Sequence, residues 1–451
     1  MKITFLEGQY ELARKTIEET PECGMTPVRE MNRSLFDAYR TFALRRTMKR
    51  VYEHSRFYRA AMETAGIKPE EIRGFEDLEK LPFTFPGDLR GSSYNFLCMS
   101  ERYVEWPVSF YSSGTTGIRK RMFFSFRDIG RVRDFIGVAM NSIADTEDTR
   151  ILSLMTNSNG RGASQVYVDS VKARGMEAFT GNMEDGAQEI FRLSQQHNCN
   201  VWFGDIGTIY RTAKELEELG YDLSSIGMKL LYVTMGNISG PVRAYLENAF
   251  QCELITHYGL TEVGWGFAIE QPGLGGYYTN ELDVYTEVVD PKTGKVLPAG
   301  EEGELTYTII GKEAMPLIRY RSGDIASIRR AGEEGQLDLV GLIQRRLEGI
   351  FTTPSGIEIT PARVEEVLYT FPQVIDYRLY NCSDHVGIEV ETVGAGQGSV
   401  KAQGDLGGLI RDKLSTLSGM NELGPAEITF LPRGELKKYC FEKKRFVQKQ
   451  R

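Results

Sequence analysis

The chain has 451 residues, of which 41% are hydrophobic, 26% charged and 11% aromatic, and its formal net charge is -8. That length accommodates two or three domains with a sizeable core. The acidic balance argues against nucleic acid as the main partner, because phosphate backbones select basic surfaces, and no run approaches the roughly 20 apolar residues needed to cross a bilayer.

The N-terminal stretch MKITFLEGQYELARK meets Glu7 and Glu11 before a signal-like apolar run can develop, so a cytoplasmic protein without a membrane partner is expected. Six cysteines (Cys23, Cys98, Cys199, Cys252, Cys382 and Cys440) are scattered with no C-x-x-C pair, which predicts reduced thiols and neither a disulfide framework nor a zinc knuckle. Residues 35–66 place apolar side chains at helical spacing and end at Gly66, so helices are expected there. From about 150, β-rich runs at 151–155, 200–203 and 229–234 alternate with helix-like segments at 208–218 and 241–250. That rhythm predicts βαβ units on a mainly parallel sheet.

A second β-rich stretch runs from Tyr277 to about Val340, broken by turn signals at Asp290-Pro291 and Thr293-Gly294. After Gly341 the pattern reads strand, helix (361–369), strand, strand, helix (406–417), strand, with the Gly-rich stretch 394–399 as a surface loop. The expected fold is α/β. A large N-terminal domain, residues 1–340, combines βαβ-layered sheets with a β-rich subdomain, and a small α+β domain, residues 341–451, follows.

Three segments carry chemistry. In Tyr111-Ser-Ser-Gly-Thr-Thr-Gly-Ile-Arg-Lys120, Ser112, Ser113, Thr115 and Thr116 surround Gly114 and Gly117. Glycine lets backbone approach a ligand, and hydroxyls with free N–H groups donate to phosphate oxygens. Lys120 adds positive charge, and the spacing is not that of a Walker loop; a polar surface turn has the same composition. In Thr256-His257-Tyr258-Gly259-Leu260-Thr261-Glu262, an apolar run at 252–255 puts the motif at the C-terminal end of a strand, the edge where open α/β sheets bind ligands. There an aromatic ring can lie on a purine and Glu262 can hold Mg2+, or Glu262 is a solvated loop acid. In Pro316-Leu-Ile-Arg-Tyr-Arg-Ser-Gly-Asp324, an acid just past an apolar strand and a glycine turn can accept from both ribose hydroxyls, or simply ends the strand.

The order S-S-G-T-T-G-x-x-K, then H-Y-G-L-T-E about 140 residues later, then R-Y-R-S-G-D about 60 beyond resembles the adenylate-forming superfamily. Within it the chain is similar to the phenylacetate–coenzyme A ligase group, which H-S-R-F-Y-R at 54–59 and L-P-F-T at 81–84 also resemble. The resemblance spans nearly the whole chain. It implies ATP-dependent conversion of a small carboxylic acid to acyl-AMP with pyrophosphate release, followed by thioester formation with coenzyme A. ATP, Mg2+ and coenzyme A are then the expected cofactors and co-substrates, a homodimer is plausible, and the small domain rotates between half-reactions.

Residue by residue, the resemblance implies that residues 112–117 and Lys120 cradle the ATP phosphates. Gly236 and Asn237 approach adenine, Tyr258 packs against the purine with Gly259 also in the nucleotide site, Thr261 contacts the α-phosphate, Glu262 holds Mg2+ and Asp324 binds the ribose. The acid pocket falls near 160–167 and 263–267, with Tyr167, Trp265 and Phe267 as lining. Two places depart from the pattern. The hinge, normally Gly-Arg, reads Leu339-Val-Gly-Leu-Ile-Gln-Arg-Arg-Leu-Glu-Gly349, so Leu342 replaces the arginine or Arg345 or Arg346 serves in a shifted register; Gly356 and Pro361 match the later pattern. The catalytic C-terminal lysine is assigned to Lys444, with Lys443, Lys437 and Lys438 as alternatives in a basic tail. These departures keep two other readings open: acyl transfer to an amine or carrier instead of coenzyme A, and a nucleotide-binding homologue with degenerate catalysis.

Overall fold

The computed structural model describes residues 3–25, 30–111, 119–156, 162–234, 238–331, 336–343, 345–382, 385–393, 400–422, 425–436 and 446–448. The chain forms two compact units that interleave in sequence. The first contains Met1–Thr149, Gln165–Ala178 and Thr256–Leu342, and the second Arg150–Ser164, Phe179–Ile255 and Ile343–Arg451.

The first unit begins with helices whose ends are written in short polar residues. Thr4 and Glu7 close a capping box on Phe5–Glu18, and Asn32 accepts from Leu35 N–H to start Arg33–His54. Ser55 ends that helix and caps the next, Arg56–Ala65, by accepting from Tyr58 N–H at 3.2 Å. Each such cap satisfies a backbone donor that the first helical turn leaves without a partner. Helix Phe126–Ile143 starts with a Ser125 and Asp128 capping box. The Asp128 carboxylate also accepts from Glu313 N–H (2.8 Å) and Ala314 N–H (3.1 Å), so one buried side chain fixes both a helix start and a distant loop.

Strands Val104–Tyr111 and Arg119–Ser125 form an antiparallel pair that carries Lys120. Val284–Val289, Gly303–Ile309 and Tyr320–Ala326 form a second antiparallel group. A third brings Trp265–Gln271 between Glu253–Leu260 and Gly276–Thr279, with Leu339–Gly341 beyond. Residues 256–260 stand at the C-terminal end of strand Glu253–Leu260, as expected, and the ladder with Trp265–Gln271 continues as far as Leu260. One sequence expectation needs correction: Asp324 lies within strand Tyr320–Ala326 rather than past its end. Gly323, at φ +78°, lets that strand bulge where the register shifts between Glu304 and Thr306, and it resumes pairing at Ile325.

In the second unit, Arg150–Ser153, Val201–Asp205 and Leu230–Thr234 pair in parallel as the alternating pattern predicts. The connecting helices include Ala187–Gln196, Ile206–Glu218 and Gly240–Phe250. Their core is built around Trp202, fully buried against Phe250, with its indole N–H donating to Ser194 Oγ at 2.9 Å. The C-terminal part of this unit pairs Val374–Cys382 antiparallel with His385–Thr392. Glu427–Leu431 and Phe446–Gln448 lie parallel on the two flanks. Helices Pro361–Leu368 and Val400–Leu414 cover the apolar face formed by Leu379, Val386, Ile388 and Val390.

Arg211, on helix Ile206–Glu218, donates to Asp376 Oδ2 (2.9 Å) and to both oxygens of Glu391, all three side chains being buried. Removing one member of a buried ion cluster strands the other charges and costs roughly 3–5 kcal/mol. Arg211→Ala is therefore expected to lower the thermal midpoint of the purified protein by several degrees. An unchanged midpoint would show that Asp376 and Glu391 are compensated in another way.

Candidate active site

In the first unit Lys120 and Tyr320 meet around one carboxylate, that of Glu262. Glu262 is 6% exposed and follows strand Glu253–Leu260 in a turn closed by Val263 and Gly264 N–H to Leu260 O. Its Oε1 accepts from Lys120 Nζ at 2.8 Å and from the Tyr320 hydroxyl at 2.7 Å, and Lys120 Nζ also reaches Tyr320 Oη at 3.2 Å. Burial works to raise the Glu262 carboxyl, but the Lys120 charge and these hydrogen bonds bring it below the ordinary glutamate value. Glu262 is thus an anion held in a low-dielectric site by one cation and one phenol.

Lys312 holds the same residue from its backbone side, donating to Glu262 O at 3.0 Å while its ammonium sits 4.1 Å from the centre of the Phe124 ring. Burial pushes Lys312 down to about 8, against the pull of Asp128, Glu262 and Asp283. A small cavity is lined by Val263, Gly264, Phe267, Arg131, Asp283 and Lys312. Arg131 Nε donates to Asp283 Oδ1 at 2.8 Å, so part of that lining is charged.

A second cluster surrounds Asp324. The bulge at Gly323 re-aims this side chain, the usual use of a bulge beside a site, and Asp324 Oδ2 accepts from the Tyr258 hydroxyl at 2.6 Å. Burial and the adjacent Asp324 charge push the Tyr258 phenol well above its ordinary value, so it remains a donor. Tyr307 donates in turn to Tyr258 Oη at 3.3 Å. Tyr307 and Tyr320 are direct cross-strand partners, so their rings share one sheet face. One ring serves Tyr258 and Asp324 and the other serves Lys120 and Glu262.

The backbone between these groups is tightly constrained. A Cβ at Gly259 would lie 1.8 Å from Trp265 O, so no other residue fits that position. Trp265 itself takes φ +66° and stacks on Phe124, ring centres 4.8 Å apart. Arg319, just before Tyr320, takes φ +48° and is held by buried Glu287 (3.0 Å) and by Leu81 O (2.9 Å). The two N-terminal segments meet at this point. The Tyr58 hydroxyl accepts from Ile318 N–H at 2.8 Å and bonds Thr84 Oγ1 at 2.9 Å, and Thr84 N–H donates to Arg319 O at 3.1 Å.

Of the residues expected from sequence, Lys120 and Glu262 are in direct contact, as are Tyr258 and Asp324, while Gly259 and Thr261 lie on the chain between Tyr258 and Glu262. Ser112, Ser113, Gly114, Thr115, Thr116, Gly117, Gly236, Asn237 and Lys444 lie outside the described residues, as do Lys437, Lys438 and Lys443. Arg345 pairs with Glu358 at 3.2 Å within the second unit. Of the expected acid-pocket side chains, Phe267 packs edge-on to Tyr258 and Tyr307. Tyr167 is buried, and Trp265 is engaged with Phe124 and Trp106. Sequence reasoning missed Tyr307, Tyr320 and Lys312. Tyr320 stood inside the third motif, but Tyr307 sits in a β-run whose in-and-out register no local pattern announces.

Residues 108–314 match the family described as AMP-binding enzyme, and over most of its length the chain is similar to phenylacetate–coenzyme A ligases. It is 27% identical over 376 residues to the phenylacetate-coenzyme A ligase of Aromatoleum evansii, covering 79% of this chain and 80% of that protein. It is 26% identical over 382 residues to the Escherichia coli enzyme of the same name, covering 82% of each. The crystal structure of 2-hydroxyisobutyryl-CoA ligase with 2-HIB-AMP superimposes with a TM-score of 0.78 at 17% identity, covering 94% of both chains, a likeness of fold. Among the described residues no helix is long and apolar enough to cross a membrane.

Two outcomes are expected. Lys120→Met should destabilise the protein by roughly 3–5 kcal/mol in urea unfolding, because Glu262 is left buried without its cation. The double variant Lys120→Met, Glu262→Gln should recover part of that loss, and failure to recover would show that the pair is not coupled. His257 is half-buried, and desolvation lowers its imidazole to about 4. The unfolded chain therefore binds the extra proton first as pH falls from about 6.5, and stability declines by about 1.4 kcal/mol per pH unit until about 4. His257→Asn should flatten that part of the stability curve; an identical slope in the variant would assign the acid sensitivity elsewhere.

Proposed function

We propose that the chain catalyses ATP-dependent activation of a small carboxylic acid to an acyl-AMP with release of pyrophosphate, then transfer of the acyl group to coenzyme A with release of AMP. The observation that carries this reading is the buried, ionised Glu262, held through one oxygen by Lys120 and Tyr320 within a motif of the AMP-binding class. Glu262 is the carboxylate that would hold Mg2+. The donor set suits that hard cation, which prefers carboxylate oxygen. Bound there, magnesium would supply charge neutralisation on the phosphate oxygens.

The residues of this chain then have separable tasks. Lys120 would exchange part of its interaction with Glu262 for a phosphate oxygen, and a cation held by Glu262 would then supply the counter-charge. Asp324 accepts from the ribose hydroxyls in place of the Tyr258 hydroxyl, and the released Tyr258 ring lies along the purine. Thr261, beside Glu262, donates to the α-phosphate. Residues 112–117, with Gly236 and Asn237, complete the nucleotide cradle, and Lys444 is assigned to the developing charge between carboxylate and α-phosphate. Catalysis on this scheme is positioning plus electrostatic stabilisation, the usual division of labour in transfer at phosphorus. Residues 341–451 act as the small domain, with Arg345 as the hinge arginine.

The direct test is pyrophosphate release from Mg-ATP over a panel of aryl and aliphatic acids, with AMP and thioester measured with and without coenzyme A. Acid-dependent pyrophosphate release and coenzyme A-dependent AMP release are expected. Silence on every acid would overturn the activation step, and AMP release indifferent to coenzyme A would overturn the acceptor. Asp324→Ala should weaken ATP binding roughly 10- to 150-fold, the equivalent of the 1.5–3 kcal/mol of a charged hydrogen bond. An unchanged ATP affinity, measured by calorimetry, would remove Asp324 from the ribose site.

A further inference from the structure

The C-terminal sheet of the second unit carries a cluster that the activation chemistry does not use. Cys382 ends strand Val374–Cys382, His385 begins strand His385–Thr392, and the two are direct cross-strand partners. Glu427 begins the neighbouring strand and lies beside Gly387, two residues on from His385. In a pleated sheet, direct partners and residues two apart on a strand share a face. The three side chains therefore stand together on the face opposite the one that packs Val386, Ile388 and Val390.

Their ligating atoms, Cys382 Sγ, one ring nitrogen of His385 and one Glu427 oxygen, all lie within 4.8 Å of one another. Gly387 sits among them, and a Cβ there would be 3.1 Å from Cys382 Sγ, so the missing side chain is what leaves room for the thiol. His385 Nε2 and Glu427 Oε2 are 3.3 Å apart. That is long for a hydrogen bond between these groups. It equals the edge of a tetrahedron whose metal–ligand bonds are about 2.0–2.1 Å, the zinc values for imidazole nitrogen and carboxylate oxygen. Cys382 and His385 are partly exposed and Glu427 is exposed, so solvent can supply a fourth ligand.

We propose that Cys382, His385 and Glu427 form a binding site for a divalent cation of the zinc class. One sulfur, one nitrogen and one oxygen match the ligand preferences of Zn2+ and Co2+ and are poor for Mg2+, which prefers an all-oxygen shell. The site is thus chemically separate from the magnesium chemistry assigned to Glu262. An ion there would cross-link the adjoining ends of strands Val374–Cys382 and His385–Thr392 to strand Glu427–Leu431 and stabilise the C-terminal sheet by mass action.

The test uses full-length, tag-free protein, reduced and stripped of metal, titrated with Co2+ and followed by absorption. Binding at this site should give one equivalent with both visible d–d bands and a thiolate-to-cobalt charge-transfer band, displaced by Zn2+ and not by excess Mg2+. Cys382→Ser should abolish the charge-transfer band. His385→Asn and Glu427→Gln should each weaken Co2+ binding at least tenfold, with circular dichroism confirming the fold of each variant. Zn2+ should also raise the thermal midpoint of the wild type and not that of Cys382→Ser. No charge-transfer band in the wild type, an unchanged band in Cys382→Ser, or displacement by Mg2+ would each overturn the proposal.

Discussion

A carboxylate carried into a protein interior must keep a counter-charge and hydrogen-bond donors, or it gives up its ionisation. Glu262 meets that requirement with Lys120 and Tyr320, residues that lie 142 and 58 positions away in the chain. Three strands must therefore arrive together before this carboxylate can be both buried and ionised. The remaining features of the site follow from the same demand. Lys312 fixes the Glu262 carbonyl, Gly259 permits the close passage of Trp265, and Arg319 adopts the left-handed turn that leads into Tyr320. A buried ion pair is weak evidence for added stability, since desolvation offsets much of the attraction. What the pair fixes is geometry: one carboxylate oxygen is committed to its partners, in a site preorganised for charge.

The strained approach at Arg319 is sustained from outside the site. Tyr58 and Thr84, from the two N-terminal segments, hold the backbone of residues 318–321 through their hydroxyls and through the Thr84 amide and carbonyl. Buried Glu287 neutralises the Arg319 guanidinium. Nothing in Tyr58 or Thr84 touches Glu262 or Asp324 according to these bonds, yet both determine where Tyr320 and Asp324 begin. The N-terminal part of the first unit is thus a scaffold for the third motif. Backbone conformations of this cost persist only where surrounding contacts over-determine them.

The second unit divides its work differently. Its parallel strands are packed as a continuous apolar core around Trp202, whereas its C-terminal sheet keeps one apolar and one polar face. The polar face carries Arg378, Tyr380 and Glu389 in one network, and beyond it Cys382, His385 and Glu427. The contrast follows from burial: strands covered on both faces lose their alternation, and strands covered on one face retain it.

The sequence by itself determined the α/β class, the parallel segment between 150 and 234, and the three motifs with their order. These are local properties, because apolar period, turn chemistry and motif spacing are set by residues a few positions apart. The exact ends of strands were not local. Strand Glu253–Leu260 runs through the second motif and Tyr320–Ala326 runs through Asp324, since partner strands extend the ladders past the apolar runs. Only the tertiary structure decided that Lys120 neutralises Glu262 and that Tyr258 meets Asp324. It alone showed Tyr307 and Tyr320 as neighbours serving both clusters. Charge compensation in a buried site depends on which strands pair and in what register, and that is a property of the folded chain as a whole.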